Sequence, residues 1–250
     1  MVGLLLEWYA REARDLPWRR TSDPYSVLVS ELMLQQTQVS RVIPAYEAWL
    51  ERWPTAEALA AARREDVLAA WVGLGYNRRA LALWQAAGIV ARDGWPEDLR
   101  LLPGVGPYTA AAVGSFAFGR QVVAVDVNVA RVRERFGAPL EPPGGRAGDF
   151  NQAMMELGAT VCTARTARCG ACPIAGGCAS AGQRPVRPAR RAHRPRFEDT
   201  NRWVRGRIVA ALAAGEGLPQ GIAPERLEPA LDGLVRDGLV RRSGGTYALG

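Results

Sequence analysis

The segment from Leu101 to Phe136 constrains the fold of this chain more than any other part. It reads LLPGVGPYTAAAVGSFAFGRQVVAVDVNVARVRERF. Gly104 and Gly106, flanked by prolines, predict a tight turn that opens an alanine-rich helix. Backbone N–H groups of such a turn point at one spot, which suits a phosphate oxygen. Gly104, Val105 and Gly106 are therefore a candidate phosphate-binding turn, and an ordinary helical turn without a ligand is the alternative.

A carboxylate follows this turn within the same segment. Asp126 lies inside the apolar run VVAVDVNV, directly before a second helical stretch that is rich in arginine. A lone carboxylate with apolar surroundings and basic neighbours is a candidate catalytic group. The alternative is an aspartate that only caps the helix after it.

A second carboxylate stands out near the N-terminus. The stretch SVLVSELMLQQTQ, from Ser26 to Gln38, predicts a helix in which Glu31 lies between Val29 and Leu32 in a mostly apolar segment. A charge is costly there unless it has a purpose. A raised pKa would make Glu31 a proton donor at neutral pH. A solvated glutamate on the outer face of the helix is the alternative.

The composition limits the chemistry that these groups can share. All 32 basic residues are arginine, so no side-chain amine exists to form a Schiff base. The single histidine, His193, lies in a proline- and arginine-rich stretch, which disfavours Ser–His and Cys–His nucleophiles. Acid–base chemistry must then fall to carboxylates. The net charge of +7 favours a polyanionic partner.

Four cysteines form one compact loop with the spacing C-x6-C-x2-C-x5-C. Because the chain has no signal-peptide pattern and no run of 18 apolar residues, we expect a cytoplasmic, nucleoid-associated protein that has no membrane partner. Disulfides are rare in that compartment. The loop therefore predicts structural zinc or an iron–sulfur cluster, and a single C-x2-C pair favours the cluster. The four cysteines are Cys162, Cys169, Cys172 and Cys178.

Helical patterns dominate the remainder of the chain, which predicts a mainly α fold. Residues 1–183 are interpreted as one domain that includes the cysteine loop (162–178). Residues 184–196 form a basic linker, which either follows DNA or is a solvated tether. Residues 197–250 predict two helices and a short hairpin, a unit that resembles a winged helix. Such a unit could bind DNA, dock on the core or recruit a partner.

Several motifs in this chain resemble one enzyme family. SELMLQQTQV, LGY, LPGVGPYTAAA, VDVNVARV, FNQAMMELG and the cysteine loop are similar to the DNA glycosylases related to endonuclease III, and among them to the MutY-type adenine DNA glycosylases. The resemblance spans about residues 5–180. It implies a helix-hairpin-helix glycosylase fold and a [4Fe–4S] cluster. It also implies a monomer that removes adenine mispaired with 8-oxoguanine or guanine in double-stranded DNA.

The resemblance also implies roles for single residues. Glu31 would protonate the departing adenine, Asp126 would stabilise the oxocarbenium ion, and Asn128 would support the sugar side of the site. Tyr108 takes the place where strand-cleaving relatives carry lysine, so we expect base removal without lyase activity. Adenine-pocket positions fall on Trp18, Arg19, Leu34 and Glu156, a DNA-intercalating position on Gln36, and an opposite-base position, aromatic in relatives, on Asn77.

The implied chemistry agrees with the residue types. Cleaving an N-glycosidic bond requires a proton for the base and negative charge near the ribosyl cation, which two carboxylates supply in glycoside hydrolysis. The adenine must first leave the base stack, and Gln36 could fill the gap behind it.

Against the family pattern, we expect a short form of the family without its usual C-terminal domain for 8-oxoguanine, and with a shortened loop at 137–149. Two alternatives to an adenine DNA glycosylase remain, and each has a different activity. One is a mismatch glycosylase for thymine or uracil opposite guanine. The other is a non-catalytic iron–sulfur, winged-helix DNA-binding regulator, which would not need Glu31 and Asp126.

Overall fold

The computed structural model describes residues 1–183 and 195–250, and its secondary structure is mainly helical, as predicted. The helices are α1 (Val2–Glu12), α2 (Pro24–Leu34), α3 (Val39–Arg52), α4 (Ala56–Ala60), α5 (Arg64–Ala70), α6 (Arg78–Asp93), α7 (Pro107–Ala117), α8 (Val127–Phe136), α9 (Ala147–Thr160), α10 (Asn201–Ala213) and α11 (Pro224–Arg236). The strands are β1 (Val240–Ser243) and β2 (Thr246–Leu249). Within the described ranges, no helix is both long and apolar enough to cross a membrane. Nearly all of the predicted basic linker (184–196), with His193, lies outside the described residues.

Contacts between residues divide the chain into two compact units. The first combines Met1–Glu31 with Val105–Arg190, and the second combines Leu32–Gly104 with Arg191–Gly250. These units group α10, α11 and the hairpin with α3–α6. The domain boundaries drawn from composition at 183 and 197 remain a prediction.

The first unit is built around α1, α8 and α9. Their buried side chains form one hydrophobic cluster that includes Leu5, Trp8, Phe136 and Phe150. Three of the cysteines pack against this cluster from outside. The close packing of α8 on α9 fixes the helix that begins directly after Asp126.

The second unit has an aromatic centre. The rings of Trp49 and Trp53 meet edge to face at 4.7 Å, and those of Trp49 and Trp71 at 5.5 Å. Edge-to-face pairs of this kind add to the free energy gained from burial alone. Both Trp49 and Trp71 are almost fully buried.

The C-terminal residues form two helices and a hairpin, as predicted. Strands β1 and β2 pair antiparallel with Val240 opposite Leu249, and Gly244 and Gly245 between them both have positive φ. Such turns fit the right-handed twist of paired strands. The hairpin is tied to α5 by an ion pair of 2.9 Å between Arg241 and Glu65.

Helix α2 is shorter than the sequence predicts. It ends at Leu34 rather than at Gln38, and Gln36 takes a left-handed conformation with φ of 55°. The carbonyl groups of Leu32 and Met33 accept hydrogen bonds from the guanidinium of Arg79, a residue of α6. This arginine satisfies the end of the helix in place of a further turn.

The predicted glycine turn joins the short 3₁₀ segment Leu99–Leu101 to α7. Gly104 has φ of +79°, and a Cβ atom there would lie 2.9 Å from the Cβ of Ala82 and 3.3 Å from the side chain of Leu32. Glycine is therefore required twice over, by the backbone conformation and by the close approach to α6.

We expect Gly104→Ala to lower the free energy of unfolding by about 2–4 kcal/mol, measured by urea denaturation. Gly75→Ala is the matched control, because Gly75 has φ of +71° but no atom lies within 4 Å of the place that its methyl group would take. It should lose only the conformational part, about 1 kcal/mol. Equal losses in the two variants would contradict the steric role of Gly104.

Candidate active site

Glu31 lies in the interior of α2 with only 6% of its surface exposed. The solvated outer-face alternative is therefore wrong. Burial raises the pKa of the Glu31 carboxyl to about 7, a hydrogen bond with Tyr108 opposes this rise, and the charge of Asp126 adds to it. A carboxyl with this pKa is half protonated near neutral pH, which suits a general acid.

Asp126 has a different environment at the start of α8. It is the N-cap of this helix, and its Oδ1 accepts hydrogen bonds from the backbone N–H groups of Asn128 at 2.9 Å and Val129 at 2.7 Å. The helix N-terminus favours negative charge at this position. Oδ1 of Asp126 therefore makes the capping hydrogen bonds that the alternative interpretation predicts. This capping does not exclude a catalytic role, because the cap also fixes the direction of the carboxylate.

Asn128 connects Asp126 to the cysteine loop. Its Nδ2 donates to Oδ2 of Asp126 at 2.7 Å, and its Oδ1 accepts from Nη2 of Arg131 at 2.8 Å. Nε of Arg131 then donates to the carbonyl oxygen of Cys162 at 2.9 Å. Room for Asn128 depends on Gly158 of α9, where a Cβ would lie 2.6 Å from that of Asn128. The candidate catalytic carboxylate is thus held by a continuous chain of hydrogen bonds.

Tyr108, in the first turn of α7, lies near both carboxylates. Burial and the nearby charge of Glu31 raise the pKa of its phenol. Its hydroxyl also lies 3.8 Å from the sulfur of Met155. A neutral phenol can donate a hydrogen bond to Glu31, so Tyr108 holds the carboxyl in place without supplying a nucleophile.

Glu156 is fully buried in α9 and bound by two arginines. Nε of Arg14 donates to it at 2.7 Å, and Nη2 of Arg19 does so at 2.7 Å. Burial alone would raise the pKa of Glu156, but the hydrogen bonds from Arg14 and Arg19 outweigh it and lower the pKa. The carboxyl is therefore an anion that orients Arg19, which also lies over the ring of Tyr9.

The structure brings the predicted pocket residues Arg19 and Glu156 into direct contact, but it buries Trp18 at 9% exposure in the core. Sequence reasoning missed Arg14. No local signal marks this arginine, since its partner lies 142 residues away.

Asn151 was also missed as a supporting residue. It is fully buried in α9, accepts a hydrogen bond from the backbone of Ala124 at 3.1 Å, and donates to Ser115 and to the carbonyl of Val122, each at 2.9 Å. These bonds fix the extended segment that leads into Asp126. No local signal marks Asn151, because Asp149 and Gln152 are also polar in the first two turns of this helix.

The other predicted DNA-contact residues belong to the end of α2, the start of α6 and the glycine turn. Leu34 is the half-buried last residue of α2, and Gln36 is exposed in the following loop. Asn77 is the N-cap of α6, and its side chain makes no capping hydrogen bond. In the turn, the side chain of Val105 is buried, which leaves its backbone as the candidate contact.

The four cysteines line one cavity of about 480 Å³, together with Arg131, Arg135 and Arg168. Nη1 of Arg135 lies 3.3 Å from Sγ of Cys162, and the backbone of Ala179, directly after the loop, donates to the carbonyl of Phe136 at 3.0 Å. Among the described residues, no three His, Cys, Asp or Glu side chains converge as the ligands of a single metal ion would. A cavity ringed by four thiols and edged by arginines fits a group larger than one ion and negatively charged.

With this geometry in place, comparison with known proteins identifies the family. A model of the HhH-GPD superfamily of base excision DNA repair proteins matches residues 29–146. The adenine DNA glycosylase of Mycolicibacterium smegmatis is 44% identical over 98% of this chain and 94% of that protein. This chain belongs to the adenine DNA glycosylase family. The human adenine DNA glycosylase is also 44% identical, over 69% of this chain and 38% of its own length.

Two solved structures share the fold. A thermostable thymine-DNA glycosylase superposes with a TM-score of 0.65 at 30% identity and covers 71% of this chain and 93% of its own. An endonuclease III superposes with a TM-score of 0.60 at 22% identity, over 72% of this chain and 93% of its own. The predicted family is confirmed. A base-excision-repair DNA glycosylase of this family is an enzyme, which disfavours the non-catalytic regulator.

The buried carboxyl of Glu31 should make stability depend on pH. The folded state holds a proton from about pH 4.5 to about pH 7 that the unfolded chain releases, so stability falls as pH rises through this range. Glu31→Gln removes this dependence. Its free energy of unfolding relative to wild type should therefore rise by on the order of 1–3 kcal/mol between pH 5 and pH 8.

The comparison is made by urea unfolding at each pH, with Glu51→Gln on an exposed position of α3 as the control for removal of one carboxylate. A difference between Glu31→Gln and wild type that stays constant across this pH range would show that Glu31 is not desolvated.

Proposed function

We propose that this enzyme hydrolyses the N-glycosidic bond of adenine mispaired with 8-oxoguanine or guanine in double-stranded DNA. The pairing of Glu31 and Asp126 carries the proposal. One carboxyl has its pKa raised to about 7 by burial, and the other caps a helix that favours its anion. Two carboxyl groups with opposed environments are the usual arrangement for an acid and an electrostatic stabiliser.

In the proposed reaction, protonated Glu31 donates to a ring nitrogen of the adenine as the bond from N9 to C1′ breaks. The bonding electron pair leaves with the base, which the proton neutralises, and C1′ becomes an oxocarbenium ion. Oδ1 of Asp126 is committed to the N–H groups of α8, whereas Oδ2 accepts one hydrogen bond from Asn128. Oδ2 therefore keeps lone-pair capacity for the cation. Water adds to C1′, and the carboxylate of Glu31 takes up its proton.

Double-stranded DNA is the proposed partner, and the net charge of +7 supports it. The backbone of Gly104, Val105 and Gly106 would contact a phosphate at the start of α7. Gln36, exposed after α2, would enter the duplex where the adenine leaves it. Asn77 would lie beside the opposite base, where its amide offers hydrogen bonds but less stacking than an aromatic ring.

The likeness to a thymine-DNA glycosylase supports a second candidate substrate class. Identity is higher, and extends over more of this chain, for the adenine enzyme of Mycolicibacterium smegmatis. Duplexes carrying A opposite 8-oxoguanine, A opposite G, T opposite G and U opposite G decide between them. Adenine release from the first two supports the proposal, and release of only thymine or uracil would refute it.

We further propose that Cys162, Cys169, Cys172 and Cys178 hold a [4Fe–4S] cluster. The cavity that these thiols line, and the nearby Arg131, Arg135 and Arg168, fit its size and negative charge. When bound, the cluster would supply a covalent anchor for the loop. Backbone hydrogen bonds from Ala179 and Ser180 to the carbonyls of Phe136 and Arg135, at the C-terminal end of α8, would then steady the helix that presents Asp126.

Loss of one thiolate should therefore remove iron and loosen the loop. We expect Cys172→Ser to lose the absorbance near 400 nm and most of the bound iron, and to weaken DNA binding more than the rate of the bound complex. Iron analysis and binding titration are the measurements. The control is Ala171→Ser at the exposed neighbouring position, which adds a hydroxyl without removing a thiol. One zinc and no iron in anaerobically purified wild-type protein would exclude the cluster.

For the chemical step, Glu31→Gln and Asp126→Asn should each slow single-turnover adenine release by about a thousandfold or more, while binding of the mispaired duplex persists. Each change removes either the proton or the charge and keeps the shape of the side chain. Glu51→Gln is the isosteric control at an exposed site and should keep the wild-type rate. Rates within about tenfold of wild type for either site variant would overturn the assignment.

Because the chain contains no lysine, the product should be an intact strand with an abasic site. Tyr108→Lys would place an amine near the reacting sugar and should allow borohydride trapping on abasic DNA. The matched control is Tyr108→Phe, which removes the hydroxyl without adding an amine. Trapping of wild-type protein through a side chain, located by peptide mapping, would contradict this expectation.

A further inference from the structure

Arg79 is a buried charged residue that the proposed chemistry does not use. Only 9% of its surface is exposed, and no carboxylate of the described residues pairs with it. Burial lowers the pKa of its guanidinium to about 10, so it remains charged at neutral pH. An isolated buried charge is costly unless its hydrogen bonds are well satisfied.

The hydrogen bonds of Arg79 go to the C-terminal end of α2 with the loop after it, and to the loop before α6. Nη1 contacts the carbonyl oxygens of Leu32 at 2.7 Å and Gln35 at 2.5 Å. Nη2 contacts the hydroxyl of Thr37 at 3.0 Å and the carbonyl of Gly75 at 2.9 Å. Further contacts reach Met33 and Leu74. One guanidinium thus ties the loop after α2 to the loop before α6.

These two loops also contain the only two non-glycine residues with positive φ in the described part of the chain. Gln36 has φ of 55°, and Tyr76 has φ of 49°. Such conformations are sparsely populated and persist only where the surroundings over-determine them. The backbone carbonyls next to each strained residue are acceptors of Arg79, namely those of Gln35 and Gly75.

The planar fork of arginine suits this task. Its fixed N–H directions can serve several carbonyls at once, which a flexible ammonium group cannot. Arg79 is itself fixed in the first turn of α6, and its guanidinium lies 5.3 Å from the ring centre of Trp71 and 5.7 Å from that of Tyr76. The position of one loop is therefore coupled to the position of the other.

We propose that Arg79 is a positioning residue that sets Gln36 and the loop of Tyr76 and Asn77 in a single arrangement for extruding the target base. This inference rests on the proposed function, because that function places both loops in contact with the DNA duplex. Arg79 acts through these residues and does not touch the reacting atoms. Its loss should therefore affect the extrusion of a paired base more than the chemistry on an unpaired one.

The experiment compares single-turnover rates for adenine opposite guanine with rates for adenine opposite a tetrahydrofuran abasic analogue, where no pair has to be broken. Arg79→Lys should slow the first by about ten- to a hundredfold and the second by much less. The control is Arg64→Lys, another arginine of the second unit that donates to a main-chain carbonyl, that of Gly238, and lies in neither loop. It should leave the ratio of the two rates unchanged.

A second readout does not depend on turnover. In a Glu31→Gln background, 2-aminopurine replaces the target adenine, and its fluorescence rises when the base unstacks. Adding Arg79→Lys should reduce this rise at saturating protein. If Arg79→Lys does not fold, Thr37→Val is the second variant. It removes one acceptor of Arg79 and the long contacts of the same hydroxyl with the carbonyls of Gln35 and Leu74, and it should show the same selective effect at smaller size.

Equal slowing of the two duplexes, or an unchanged fluorescence rise, would overturn the role of Arg79. Failure of the proposed function has a different signature. In that case wild-type protein would release no adenine from any duplex of the substrate panel, and the rate comparison could not begin. The two failures are therefore distinguishable.

Discussion

The placement of Asp126 depends on helix α8 being held at both of its ends. At the N-terminus, Asp126 caps the helix through the backbone of Asn128 and Val129. At the C-terminus, the two residues directly after the cysteine loop donate backbone hydrogen bonds to the last carbonyls of the helix. Arg131 links the two regions from the side of the helix, through Asn128 and the carbonyl of Cys162. A change in the loop therefore has a direct structural route to the carboxylate of Asp126.

Because of this placement, Asp126 and Glu31 have different electrostatic surroundings. Asp126 gains from the N-terminal dipole of α8, which needs no burial. Glu31 lies within an apolar helix, where desolvation favours its protonated form. The anion of Asp126 also favours the proton on Glu31. The two carboxyl groups therefore lie in different surroundings, one at a helix N-terminus and one desolvated within a helix.

The sequence predicted those parts of the site that depend on local patterns. The glycine turn at Gly104 and the apolar surroundings of Glu31 are both visible in a window of a few residues. The end of α2 was predicted wrongly, because LQQTQ contains no helix-stopping residue and the stop comes from Arg79 in another helix. The partners of Glu156 and the support from Asn151 are likewise long-range contacts. No periodicity in the chain encodes them.

The residues whose burial or backbone conformation costs free energy are concentrated at positions with proposed roles. Glu31 and Arg79 are buried charges or potential charges, and Gln36 and Tyr76 hold strained backbone. Elsewhere the chain follows ordinary rules, with large aromatic side chains such as Trp49 buried among apolar neighbours. If Asp126 were considered alone, its role as a helix cap would be a sufficient structural explanation of its position. The coincidence of this cap with the desolvated carboxyl of Glu31 is what supports the proposal that the pair is catalytic.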